Sequence, residues 1–182
     1  MTSPIRHDIV LLGAGHAHVE VLRRFALRPL PGVRLTLIGR EPHTPYSGML
    51  PGLIRGDYGF DQAHIDLAKL AAASSARLVL AEADGIDLGA RTVSLVGRPA
   101  IAFDTLSINV GGLPAMSADG GTPVKPIGRF LARLEHLEAT LTPGARIAIV
   151  GAGPAGTELA LALARRFGAR ASIGLIAGGP EP

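Results

Sequence analysis

The sequence predicts an α/β fold built on parallel strands, and three observations predict it. Two short apolar runs, Ile9-Val10-Leu11-Leu12 and Ile147-Ala148-Ile149-Val150, each end in a glycine pair, Gly13-Ala14-Gly15 and Gly151-Ala152-Gly153. Each is followed by a helix-like stretch and a second apolar run. The two passages align without a gap at a displacement of 138 residues, which takes Gly13 to Gly151, Ala17 to Ala155, Glu20 to Glu158, Leu37 to Leu175 and Ile38 to Ile176. The match persists over about thirty residues, the length of one strand–helix–strand unit.

Taken in order, the apolar run at 9–12, like that at 147–150, suits a strand buried on both faces of a parallel sheet. Residues 17–27 read as a helix with Val21, Leu22, Phe25 and Ala26 on one side, stopped by Pro29, and 33–38 as the next strand. Residues 41–58 are rich in proline and glycine and predict a long ordered loop. A short helix follows at 66–73, capped by Asp61 or Asp66. Strands at 77–80, 92–96, 100–103 and 106–110, with turns at Gly85, Gly89-Ala90 and Gly97-Arg98-Pro99, predict a β-meander. Gly111 to Pro126 reads as a linker and 128–141 as an amphipathic helix. The second copy then supplies a helix at 157–167, ended by Gly168, and a strand at 171–176.

Composition removes several functions. With no cysteine among 182 residues, the chain has no disulfide framework, thiolate zinc site or redox dithiol, and a cytoplasmic location is compatible. The net charge is +3, and all but two of the 18 basic residues are arginines spread along the chain, without the clustered, aromatic-interleaved pattern of a nucleic-acid binder. The 18 residues from 147 to 164 carry one charge, Glu158, but the glycines inside them mark strand, turn and helix, not a membrane span. No signal peptide is evident at the N-terminus. His16, His18, His43 and His64 have no common metal-site spacing, and Ser107 lacks triad partners at motif spacing.

A glycine turn between strand and helix suits a pyrophosphate. Backbone N–H groups and the positive end of the helix dipole face the anion. The first glycine makes the turn, the second lets the phosphates approach, and the third lets the helix pack on the strand. Gly151, Gly153 and Gly156 form the full pattern; in the first copy His18 takes the third place, either packing against the sheet or turning its ring to a phosphate. The acid expected directly after the second strand is missing from both copies; in the first, Gly39 stands there, followed by Arg40, placed to stack on or pair with the nucleotide, and Glu41, placed to reach a ribose hydroxyl, while the second has neither an acid nor an arginine, so NADH and NADPH both fit. His43 and Tyr46 read equally as flavin-pocket or ordinary loop residues.

This pattern resembles the two-dinucleotide-binding flavoproteins of the pyridine nucleotide-disulfide oxidoreductase superfamily. The stretch from Phe103-Asp104 to Gly111-Gly112-Leu113-Pro114 is similar to the family's second signature, with Asn109-Val110 in place of Ala-Thr, and the stretch around Ala83 is similar to its adenine-facing strand. Gly15-His16-Ala17-His18, the string from His43 to Gly52, and Ala63-His64-Ile65-Asp66 resemble the NADH-dehydrogenase-like branch often fused to selenide, water dikinase. The family's cysteine pair is absent.

The resemblance implies a Rossmann-like FAD-binding domain with a β-meander at 1–114, a linker and amphipathic helix at 115–144, and the start of a second Rossmann-like, NAD(P)-binding domain at 145–182. FAD would be held by Gly13, Ala14, Gly15, His16, Ala17, His18, Arg40, Glu41, Tyr46, Ser47, Ala83, Gly111 and Gly112. NAD(P)H would be held by Gly151, Gly153, Pro154, Ala155, Gly156 and Glu158. No catalytic side chain and no metal is implied. The expected activity is hydride transfer from NAD(P)H to FAD and on to a small-molecule acceptor, with a quinone, oxygen and a selenium species all open. The rival reading is a non-enzymatic nucleotide-binding module. The chain reads as an N-terminal fragment, inactive alone, in which Leu159, Leu161, Leu163, Ile173 and Leu175 lack part of their packing layer; a homodimer is one expected outcome. The parent is expected in the cytoplasm, free or peripheral at the membrane.

Overall fold

The computed structural model describes residues 4–112 and 120–179. In chain order these form β1 (His7–Leu12), α1 (His16–Leu27), β2 (Val33–Gly39), β3 (His43–Pro45), α2 (Leu50–Arg55), α3 (Phe60–Ala63), β4 (His64–Asp66), α4 (Leu67–Ala73) and β5 (Arg77–Leu80). Then come β6 (Ala83–Asp87), β7 (Thr92–Leu95), β8 (Arg98–Ala102), β9 (Thr105–Ile108), α5 (Ile127–Thr140), β10 (Ala145–Val150), α6 (Pro154–Phe167) and β11 (Ala171–Ile176). The mixed α/β architecture is the one the repeat predicts. Two compact units are present, one of Met1–Thr44 and His64–Gly112, the other of Pro45–Ala63 and Leu113–Pro182. The expected boundary at 114–115 lies outside the described residues.

In the first unit, a parallel sheet has the order β5-β2-β1-β9, so β1 is interior. Side chains alternate across it, as strand geometry requires. Leu11, Leu35 and Leu37 pack with Leu22 of α1 and Leu67 of α4. Val10, Leu12 and Ile38 pack on the other face with Val93, Leu95 and Phe103 from the meander. Asp66 caps α4, its Oδ1 accepting from the Lys69 N–H at 3.0 Å, and this bond is the main reason its carboxyl sits below its ordinary value.

In the second unit, β10 and β11 form a parallel pair. The core gathers Leu50 and Ile54 of α2, Ile127, Phe130 and Leu134 of α5, and Leu159, Leu163 and Phe167 of α6. Leu159 and Leu163 therefore have a packing layer, contrary to expectation, because α2 supplies one. Leu161 and Leu175 are exposed. Burial along β10 alternates between half-buried and exposed, so this strand is covered on one face and not, as expected, on both.

Two further expectations are corrected. Residues 41–58 are not a plain loop: they hold β3, a 3-10 turn at Ser47–Met49, and α2. Pro51 falls in the first turn of α2, where a missing N–H costs nothing, and Gly56 ends the helix in the left-handed region at φ 85°. Gly85 is not a turn; it lies within β6 at a register shift against β7.

The repeat extends to individual hydrogen bonds. β1 and β2 pair from His7↔Val33 to Leu12↔Ile38, and β10 and β11 from Ala145↔Ala171 to Val150↔Ile176, the same register 138 residues on. Gly13 N donates to Ile38 O at 2.8 Å and Gly151 N to Ile176 O at 2.9 Å.

Candidate functional site

The first glycine turn joins β1 to α1. Gly13 has φ +92°, and a Cβ there would strike the Asn109 carbonyl and lie 2.8 Å from Val110 Cα, so only glycine fits. Gly15 is the N-cap residue of α1 in extended conformation; its N–H donates to Asn109 O at 3.2 Å, and its carbonyl accepts from Val19 N at 3.1 Å. No side chain caps the helix and no acid stands in its first turn. Ala14 N donates to no acceptor among the described residues, and His16 and Ala17 are exposed on the first turn. An anion is the chemical complement of such a helix start.

His18 takes the sheet-facing alternative. It is 1% exposed. Its Nδ1 lies 2.6 Å from Gly13 O and its Nε2 2.9 Å from Ser107 Oγ on β9. A carbonyl only accepts, so Nδ1 carries the hydrogen; in the neutral ring Nε2 then accepts from the Ser107 hydroxyl. The ring thus lies between the Gly13 carbonyl and the Ser107 hydroxyl.

The second turn joins β10 to α6. Gly151 has φ +108°, Gly153 is the extended N-cap residue, and Pro154 opens the helix, its fixed φ suited to the first position. A Cβ at Gly156 would overlap the Gly151 carbonyl oxygen, which is the close packing expected of a third glycine. The bare side of Gly153 faces open space, as a phosphate approach requires. The first turn differs: a Cβ at Gly15 would collide with the Asn109 carboxamide, 2.7 Å from its Nδ2.

The remaining predicted residues are distributed as follows. Arg40, just past β2, pairs with Glu82 at 3.6 Å, both exposed, and Glu41 is exposed beside it. Ala83 opens β6 opposite Leu95 and packs against the Val10–Leu12 side of the sheet. Gly111, at φ +76°, and Gly112 follow β9 with open space where a Cβ would stand. Tyr46 and Ser47 belong to the second unit with the second turn, and do not share a unit with the first. Ala155 and Glu158 are exposed on α6. Glu20, the counterpart of Glu158, is held by Arg23 and Arg24, whose hydrogen bonds lower its carboxyl to about 2. Leu161 and Ala162 occupy the matching places in the second copy, so Glu158 has no such partners.

Sequence reasoning missed Asn109, Ser107 as a histidine partner, and Glu82. Only Asn109 carried a signal, as the departure from the family's Ala-Thr. Among the described residues no three potential metal ligands cluster, and no helix is long and apolar enough to cross a membrane.

Comparison with known proteins agrees with this geometry. The family profile described as pyridine nucleotide-disulphide oxidoreductase matches residues 7–180. Oxidoreductase ptaL of Pestalotiopsis fici is 30% identical over 190 residues, covering 94% of this chain and 49% of the relative. The sulfide:quinone oxidoreductase structure from Aquifex aeolicus superposes with TM-score 0.67 at 23% identity, covering 96% of this chain and 44% of that one. The putidaredoxin reductase–putidaredoxin complex gives TM-score 0.74 at 21% identity, covering 94% and 42%. The fold is shared with both structures, and the chain spans about half the length, or less, of the proteins it matches.

Proposed function

This chain belongs to the pyridine nucleotide-disulphide oxidoreductase family, and on that premise we propose that its parent is an FAD-dependent NAD(P)H oxidoreductase delivering electrons to a small-molecule, non-thiol acceptor. The observation that carries the reading is the pair of glycine turns with one hydrogen-bond register, each opening a helix that presents backbone N–H groups to an anion. FAD, when bound, supplies the two-electron chemistry, taking a hydride from the nicotinamide and passing electrons on.

The chain's own part is binding and orientation. Residues 1–114 form the FAD domain, where Gly13, Ala14 and Gly15 hold the pyrophosphate and Gly111 and Gly112 leave room beside β9. Residues 115–144 link it to the NAD(P) segment, 145–182, where Gly151, Gly153 and Gly156 hold the second pyrophosphate. Because the chain has no cysteine, no residue here relays electrons as a dithiol. We place the parent in the cytoplasm, free or at a membrane surface, and expect this chain alone to turn over no NAD(P)H.

The test is the visible spectrum of the purified chain, before and after incubation with FAD. An absorbance band at about 450 nm that denaturation releases as free FAD is the expected result. A colourless chain that takes up no added FAD sinks the proposal.

A further inference from the structure

We infer that His18 is a positioning residue of the first glycine turn, one that sets the direction of the Ala14 N–H toward a bound pyrophosphate. The inference rests on the reading that this turn binds a dinucleotide. It starts from the replacement of the third glycine. In the second turn, Gly156 lies so close to the Gly151 carbonyl that no side chain fits. In the first turn, an imidazole meets the equivalent carbonyl, that of Gly13, at 2.6 Å. The first turn is braced by a side chain where the second is braced by backbone contact.

The brace has a directional consequence. In a trans peptide the C=O of one residue and the N–H of the next point in opposite directions. Holding Gly13 O inward to the buried ring therefore turns the Ala14 N–H outward, and no acceptor among the described residues takes it. Ser107 completes the device. The Gly13 carbonyl keeps the hydrogen on Nδ1, and the Ser107 hydroxyl, 2.9 Å from Nε2, donates to that nitrogen and holds the ring in place. With Nδ1 bare, two acceptors would face each other and the peptide would turn. His18→Gly, which restores the three-glycine pattern on paper, should thus weaken the first site: it removes the carbonyl's partner and leaves the space of the ring unfilled.

The experiment is a titration of the 182-residue chain with ADP, followed at the Ala14 and Ala152 amide signals by NMR, so that each turn reports on itself. His18→Leu and His18→Gly should weaken the Ala14 curve about tenfold and leave the Ala152 curve in place. His18→Asn, whose Nδ2–H can stand where Nδ1–H stood, should stay within about threefold of the unsubstituted chain. Ser107 is on the exposed side of the bridge, so Ser107→Ala tests the same device if the core variants do not fold. It should weaken the Ala14 curve and, by removing the donor to Nε2, shift the Nε2 signal in the imidazole ¹⁵N spectrum while the hydrogen stays on Nδ1. Ala14 binding that His18→Gly leaves unchanged or tightens, or a Ser107→Ala chain altered in neither readout, overturns the inference while the dinucleotide reading stands. An unsubstituted chain whose Ala14 signal does not respond to ADP overturns both.

Discussion

Gly15 and Gly13 both stand against Asn109, but against different parts of it, and the difference predicts different tolerances. A Cβ at Gly15 meets the carboxamide, the far end of a side chain that can rotate. A Cβ at Gly13 meets the backbone, at a φ of +92° that L-residues avoid. Gly15→Ala should therefore cost about 1–3 kcal/mol by overpacking, and Asn109→Ala in the same chain should recover most of it. Gly13→Ala should not be recovered by Asn109→Ala. Urea melts of the single and double variants check this; a strictly additive Gly15–Asn109 pair would show that the two do not touch. At this scale Gly13 and Gly151 were legible as turn positions, because positive φ leaves a residue-type signature. It left His18 between two roles and was silent on Ser107, because a hydrogen bond between residues 89 apart has no local signature.

Glu138 on α5 is the hub between elements in the second unit. It accepts from Arg166 Nε at 2.9 Å and from Arg170 Nη2 at 2.7 Å, while Arg166 Nη1 donates to the Ile54 carbonyl on α2 at 2.9 Å. Arg170 and then Arg166 hold the Glu138 carboxyl below its ordinary value of 4.5. A lowered carboxyl pKa in the folded chain means a contribution that is complete above that ordinary value and is lost as pH falls through the lowered one. Glu138→Gln should cost about 1 kcal/mol at neutral pH, since these side chains are partly solvated, and lower Tm by about 4 °C. On acidification the gap between the two chains should close; a gap that stays constant from neutral to strongly acidic pH rules out the ionic contribution. The same α2 shows why element prediction failed between residues 41 and 58. Proline and glycine density argued for a loop, yet Pro51 stands in the first turn of a short helix and Gly56 at its left-handed end, and only tertiary contact with α6 makes six residues worth ordering. The strand–helix–strand units were legible because their strands are apolar runs bounded by glycine. The meander was legible in its strands but not at Gly85, since a bulge and a turn use the same residue.

At the scale of the whole molecule, the second unit leaves apolar strand surface uncovered. Val150 and Ile176, partners in the parallel pair, are 65% and 50% exposed, and Leu175 is 41% exposed. Exposed apolar strand ends beside a sheet edge that is unpaired among the described residues favour association. The chain is expected to self-associate in sedimentation experiments, and Ile176→Lys to reduce that association; a monomer across the whole accessible concentration range contradicts the expectation. The first unit poses a different problem, one of time. Its interior strand β1 pairs with β2 in near sequence but with β9 only from Ile9 to Thr105. On a ribosome adding about 5–20 residues per second, β1 waits roughly 5–20 s after synthesis before its second neighbour exists. Throughout that interval an apolar strand destined for the middle of a sheet is an edge. Silent codon changes that slow translation between β2 and β9 would lengthen this exposure, making the nascent chain's dependence on holding chaperones a matter of elongation rate and not of final stability.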